Sequence, residues 1–253
     1  MNYLITGGAG FIGRHLVRRI LEDPSARIGV IDDCSRTGLP ESADFPDSVR
    51  FYRNDICDAA ALGEAMQGVE VVFHLAAVSS VRVAEEDVPR AFHSNIMGTA
   101  AVVDTARACG VKRLVLASSR EVYGEPEHLP VPESAALRPN NTYGLTKAAA
   151  ELICRGVSGL EVAIVRLANV VGPGDCGRVV PIFLRQALAG KPITIYGGDQ
   201  VLDLVWIGDV VDVMTAVSDL SVEPGGPLNI GSGVGLRISE LAARVVAMKS
   251  SPR

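Results

Sequence analysis

An α/β protein built on a doubly wound parallel sheet is the fold class this sequence predicts, and three observations predict it. Short runs rich in Val and Ile alternate with amphipathic stretches of helical length. The apolar runs lack strict alternation, as strands covered on both faces do. A glycine-rich loop joins the first run to the first amphipathic stretch. Helices between successive strands impose right-handed crossovers, and these wind the sheet.

Taken in order, Tyr3–Thr6 is the first strand, and GGAGFIG leads from it into a helix over Phe11–Glu22. Arg27–Asp32 and Val49–Asn54 read as strands, Asp58–Met66 as a helix and Glu70–Leu75 as the next strand. Helix Ala91–Cys109, strand Lys112–Ser118, helix Tyr143–Val157 and strand Glu161–Asn169 follow. After residue 170 Pro and Gly grow denser, as in KPITIYGGDQ and EPGGPLN, and the strands become short. A helix is expected over Val179–Ala189 and another from near Ser239. The expected division is one domain over residues 1–169 and a smaller, irregular C-terminal substrate lobe over 170–253, partly interleaved with the first.

The chain has 253 residues, 48% of them hydrophobic, enough for a sizeable core without staples. The net charge is −5 and no Lys/Arg cluster stands out, which disfavours nucleic acid as a partner while leaving room for a local anion site. The cysteines Cys34, Cys57, Cys109, Cys154 and Cys176 form no CxxC, so free thiols in a reducing compartment and no metal site are expected. MNYLITGGAG enters a strand with no leader pattern, and no apolar run approaches membrane-span length, so a cytoplasmic protein with no membrane partner is expected.

The loop carries the first chemistry. Gly7, Gly10 and Gly13 make a GxxGxxG between strand and helix. Such glycines give a tight turn, a close approach to a pyrophosphate and close helix packing. The helix N-terminus, where Phe11 and Ile12 stand, offers free N–H groups and partial positive charge to phosphates. Asp32 lies nineteen positions after Gly13, at the end of the second strand, where a carboxylate holds the adenosine ribose hydroxyls. It would repel a 2′-phosphate, so NAD is favoured over NADP. Asp33 and Ser35 follow in the same turn, and Arg36 reads as a solvated loop arginine.

A second constellation points to removal of a proton from an alcohol. Tyr143 and Lys147 stand i, i+4 on one helix face. A lysine ammonium and an oxidised nicotinamide both favour the phenolate, which makes a tyrosine a usable base. Ser119 ends a strand at the carboxyl edge of the sheet, where ligands bind in open α/β folds, and can hydrogen-bond the reacting oxygen.

TGGAGFIG, the second-strand Asp, HLAA at His74–Ala77, SSREVYG, YGLTK and RLANVVGPG together resemble the extended short-chain dehydrogenase/reductases. More narrowly, they resemble the NAD-dependent nucleotide-sugar epimerase/dehydratase branch (UDP-galactose 4-epimerase-like), built on a Rossmann domain. The resemblance implies a catalytic triad of Ser119, Tyr143 and Lys147, with Lys147 also holding the nicotinamide ribose. It implies Asp55 and Ile56 beside the adenine, Leu75, Ala76 and Ala77 along the cofactor, and Asn95 in the framework. Ser79, Ser80 and Asn169 are implied as substrate contacts, and Glu121 is left between a catalytic acid and a loop contact. Arg178, on the loop before VVPIF, and Val179 beside it are expected at the substrate as well, with Arg178 able to compensate for a missing diphosphate-binding Arg. It also implies a homodimer through Ala91–Cys109 and Tyr143–Val157, with Ala101, Val102, Ala149 and Leu152 available for contact.

The reaction implied is oxidation of a sugar hydroxyl by NAD, with epimerisation at C4 of a UDP-sugar leading. Dehydratases of this type carry an acid where this chain has Arg120, and a guanidinium does not donate protons at ordinary pH. Decarboxylation, dehydration (though disfavoured by Arg120) and plain dehydrogenation remain alternatives, as does an NAD(H)-binding redox sensor without turnover. Two departures from the pattern are visible. Leu202 stands where relatives carry a diphosphate-binding Arg, and relatives continue for several dozen residues past the last helix, which suggests a shortened lobe.

Overall fold

The computed structural model describes residues 1–36, 45–223 and 225–250. Pro224 of EPGGPLN and the last three residues of MKSSPR lie outside the described residues. The elements are β1 (Asn2–Thr6), α1 (Phe11–Ile20), β2 (Arg27–Ile31), β3 (Val49–Tyr52), α2 (Ala59–Ala65), β4 (Val71–His74), α3 (Val81–Glu86) and α4 (Val88–Phe92). A π-helical turn, His93–Met97, runs into α5 (Gly98–Ala108). Then come β5 (Arg113–Ser119), a 3₁₀ turn (Arg120–Tyr123), α6 (Thr142–Arg155), β6 (Glu161–Leu167), β7 (Asn169–Val171) and α7 (Val179–Leu188). The chain continues through β8 (Val201–Trp206), α8 (Ile207–Val217), β9 (Leu228–Ile230), β10 (Gly235–Arg237) and α9 (Ile238–Ser250).

Seven strands form one parallel sheet in the order β3-β2-β1-β4-β5-β6-β9. Adjacent residues of a strand face opposite sides, and both sides are apolar: Leu4 joins the layer under α2, α5 and α6, while Ile5 joins the layer under α1 and α8. Fully burying one such side chain contributes about 1.5–3 kcal/mol, so both helical layers help hold the sheet. A second sheet, β10-β8-β7, carries its own cluster of Phe183, Leu202, Leu241 and Val245 under α7 and α9.

Three features differ from the pattern read off the sequence. The stretch over residues 91–109 is not one uniform α-helix: α4 passes into α5 through the π turn, where Asn95 is buried. The predicted strand over 161–169 divides at Ala168, with β6 in the large sheet and β7 in the small one. Helix α8 was not anticipated. Its IGDVVDVMTAV packs Val210, Val211 and Met214 against α1 and the large sheet, and β9 then pairs beside β6.

Candidate active site

A cleft of about 420 Å³ runs along the carboxyl ends of β1, β4, β5 and β6, the place where open parallel sheets bind ligands. Its first wall is the glycine loop. Gly7 has φ +69°, and a Cβ there would lie 2.6 Å from the Ala76 backbone N, so only glycine lets the β1 and β4 loops meet. At Gly13 a Cβ would lie 2.5 Å from Gly8 Cα, so α1 rests directly on the loop. Gly10 is the N-cap residue of α1. No side chain caps that terminus and no acid occupies its first turn, which leaves N–H groups and positive dipole for an anion.

Asp32 closes the far end. Its two carboxylate oxygens accept from Ala9 N (3.0 Å) and Cys34 N (2.9 Å), which fixes the side chain and leaves lone pairs for hydroxyl donors. Burial pushes its pKa up, against those two bonds. Asp33, Ser35, Asp55 and Ile56 complete this end, and Leu75, Ala76 and Ala77 line the middle. An uncapped helix N-terminus, a backbone-anchored carboxylate and a narrow apolar wall fit a dinucleotide. Arg36 also lines the cleft, with its guanidinium near Gly177.

His74 holds the β4 loop in place. Its Nδ1 is 2.7 Å from Thr6 Oγ1 and its Nε2 is 3.0 Å from Thr99 Oγ1, tying β1, β4 and α5 together. Burial, with the Lys147 charge adding to it, pushes its pKa down to about 3. The ring is therefore neutral at ordinary pH.

At the inner end stand Ser119, Tyr143 and Lys147. Strand alternation turns the two serines of β5 apart. Ser118 Oγ donates to the buried Glu151 carboxylate at 2.6 Å, while Ser119 lies at the cleft. Tyr143, in the first turn of α6, stands beside Ser119, whose hydroxyl favours the phenolate. Burial raises the Tyr143 pKa, the Ser119 hydroxyl and the Arg178 charge oppose it, and Glu121 adds to it. The protein's own groups thus leave this tyrosine protonated, because burial outweighs the favourable charges. Lys147 is 3% exposed, and burial lowers its pKa to about 8, still above neutrality.

Glu121 has both oxygens engaged. One pairs with Arg120 at 2.8 Å and the other accepts from Asn141 Nδ2 at 2.8 Å. Asn141 in turn caps α6 by accepting from Gly144 N at 2.8 Å. The Arg–Glu pair thus braces the helix end that carries Tyr143, while Glu121 also lines the cleft.

Ser79, Ser80, Asn169 and Arg178 line the cleft as well. Asn95 and Val179 do not. Asn95 lies beneath the β4 loop, where it accepts from Val78 N (2.7 Å) and donates to Thr146 Oγ1 (2.9 Å). Val179 packs into the small-lobe core. Leu202 is buried in that same core, whereas Arg178 sits over the Phe11 ring at 5.5 Å and reaches Val170 O at 3.2 Å. Sequence reading left out Asn54, Arg90, His93 and Ser94 at the outer wall, because they come from loop and helix ends that converge only in the fold. It also left out Asp203, which organises the β9–β10 loop by accepting from Ser232 N and Gly233 N.

Known proteins share this architecture. Residues 3–231 match the model of the NAD dependent epimerase/dehydratase family. A UDP-glucose 4-epimerase of Mycolicibacterium smegmatis is 35% identical over 271 residues, covering 100% of this chain and 84% of that one. A dTDP-glucose 4,6-dehydratase of Streptomyces antibioticus is 32% identical, covering 95% and 75%. The UDP-glucose 4-epimerase of Thermotoga maritima, solved with UDP-glucose, superposes with a TM-score of 0.88 at 30% identity, covering 100% and 84%. The UDP-glucuronic acid 4-epimerase of Bacillus cereus, solved with UDP-glucuronic acid and NAD, gives 0.91 at 27% identity, covering 100% and 84%. A likeness that takes in the large sheet, the cleft and the small lobe together makes this chain a member of the NAD-dependent epimerase/dehydratase family of extended short-chain dehydrogenase/reductases.

Proposed function

We propose that the protein is an NAD-dependent nucleotide-sugar epimerase that inverts C4 of a UDP-sugar by transient oxidation. The observation that carries this reading is the meeting of Tyr143 with Ser119 beside Lys147, at the opposite end of one cleft from Asp32. Asp32 holds the adenosine ribose, the α1 N-terminus the pyrophosphate, and Tyr143 with Lys147 the nicotinamide ribose.

Bound NAD+ supplies the acceptor for the hydride and a positive charge that favours the phenolate. Ser119 Oγ orients the sugar hydroxyl. Tyr143 Oη takes its proton, and the Lys147 ammonium offsets the phenolate charge that burial disfavours. Return of the hydride to the opposite face of C4, once the keto-sugar has turned over, inverts that carbon, and Tyr143 Oη returns its proton to the C4 oxygen. Arg178, held at the cleft edge beside Asp175, is the cation for the substrate diphosphate in place of the residue at Leu202. The guanidinium of Arg120 and the doubly engaged Glu121 leave no free acid beside Ser119 for dehydration.

The chain works in the cytoplasm, a placement supported by five cysteines without a disulfide. No helix of the described residues is long and apolar enough to cross a membrane. It forms a dimer through α5 and α6. Leu145 and Leu152 of α6 are 45% and 63% exposed and supply the apolar contact, whereas Val102 points into the core.

The test is incubation with UDP-glucose and NAD+, following sugar stereochemistry by NMR. Epimer without net NADH is expected. NADH accumulation would identify a dehydrogenase, and tight NAD binding with no product from any nucleotide sugar a sensor. Tyr143→Phe should lower kcat by at least about 10²-fold, as loss of a general base does, with cofactor affinity retained.

A further inference from the structure

Among the described residues, a cluster at the outer end of the cleft joins Asp55 to two side chains given no role above, Cys57 and His93. Asp55, Cys57 and His93 each direct a donor atom to one point, and a carboxylate oxygen, the thiol sulfur and a ring nitrogen lie within 4.8 Å of one another. We propose that Asp55, Cys57 and His93 form a binding site for one borderline divalent cation of the zinc class, and that its occupation excludes the adenine end of the cofactor.

The ligand set decides the metal class. Thiolate, imidazole and carboxylate together suit Zn2+ and its neighbours, whereas Mg2+ and Ca2+ take oxygen alone. Donors around tetrahedral zinc stand about 3.5 Å apart at metal–ligand distances of about 2.0–2.3 Å. The present cluster is looser than that spacing by about 1 Å, and Asp55 and His93, the two ligands that would adjust, are exposed. Three protein ligands leave the fourth position to water. On binding, the Cys57 thiol gives its proton to solvent as the sulfur–metal bond forms.

The backbone beneath is already fixed. Cys57 N donates to Asp55 Oδ1 at 2.8 Å and Asp58 N to Asp55 O at 3.0 Å, which locks the turn. Cys57 Sγ lies 3.7 Å from His93 O, so the turn rests against the helical segment that bears the histidine. His93 opens the π turn, an irregularity frequent at functional sites.

The consequence for the cofactor follows from position. Asp55 and His93 both line the cleft next to Ile56, whereas Cys57 does not. A metal drawn between them occupies the adenine end. This antagonism rests on the cofactor placement proposed above, while metal binding itself does not.

The experiment uses the full chain freed of nucleotide and metal. Zn2+ alone is titrated by calorimetry and Co2+ by absorbance, and NAD+ is then titrated with and without saturating Zn2+. One Zn2+ per chain, a thiolate-to-cobalt charge-transfer band and at least tenfold weaker NAD+ binding in Zn2+ are expected. Cys57→Ala and His93→Gln should each weaken Zn2+ binding at least tenfold, and Cys57→Ala should leave NAD+ affinity in the absence of metal unchanged. No stoichiometric binding, a cobalt complex without the thiolate band, or Zn2+ affinity indifferent to both variants would overturn the site. Stoichiometric Zn2+ with unmoved NAD+ affinity would overturn the antagonism. Absence of NAD+ binding in metal-free protein would instead refute the cofactor reading.

Discussion

His74→Gln should make the protein less sensitive to acid, and the size of the effect follows from where the ring sits. It is 1% exposed, between Thr6 and Thr99. Its folded pKa is about 3, against an unfolded value of 6.5, so the unfolded chain takes up this proton first. Stability from the neutral ring is fully present above pH 6.5 and is lost as the pH falls from there toward 3. Between pH 7 and pH 5, linkage gives a loss of about 2 kcal/mol from this one residue. The assay is urea unfolding of both proteins across that range, followed by circular dichroism. Carboxylate titrations are common to both and cancel in the difference. Glutamine keeps a donor and an acceptor, and its fixed cost enters as a constant offset. The stability gap should narrow by about 2 kcal/mol between pH 7 and pH 5. A gap constant to within about 0.5 kcal/mol would refute the inference that the folded chain keeps His74 neutral.

Three further outcomes are expected. Glu151→Gln removes the anion facing Arg166 at 2.7 Å, both side chains being almost fully buried, and should cost about 3–5 kcal/mol in the same unfolding assay. Gly7→Ala places a Cβ against Ala76 N at positive φ. It should cost about 1–3 kcal/mol and weaken NAD+ binding measured by calorimetry. Glu121→Ala frees Asn141 and loosens the N-terminus of α6, so kcat should fall about tenfold with NAD+ affinity within about twofold, given that one cap is worth about 1 kcal/mol.

The large sheet was legible because both its faces are apolar, which leaves a continuous Val/Ile signal in each strand. The inner end of the site was legible too, since Ser119 ends a strand and Tyr143 and Lys147 share a helix face. What the residues did not disclose lies in tertiary partnership. IGDVVDVMTAV carries a helical stripe, yet nothing local says that it returns across the small lobe to α1. The break at Ala168 is invisible because both halves of the run are equally apolar. Asn95 was expected in the framework, and its actual place depends on the π turn, which has no propensity signature. Asp55 and Cys57 gave no metal spacing because their third neighbour, His93, arrives 36 positions after Cys57 from another element. Arg120 and Glu121 were visible as a pair, but their bracing of α6 needed Asn141 twenty residues on.

The division of one extended run between two sheets ties those sheets closely together. Ala168 is the single residue between β6 and β7, and its N–H is bonded to Ile230 O of β9 at 2.9 Å. On one side Leu167 is in register with Ser119, and on the other Asn169 is in register with Leu204 of the small sheet. No slack loop separates the two lobes along this path. The two sheets are therefore coupled through a one-residue joint whose neighbour, Leu167, is the register partner of Ser119. The position of Asn169 in the small sheet and that of Ser119's partner in the large one are thus set two residues of chain apart.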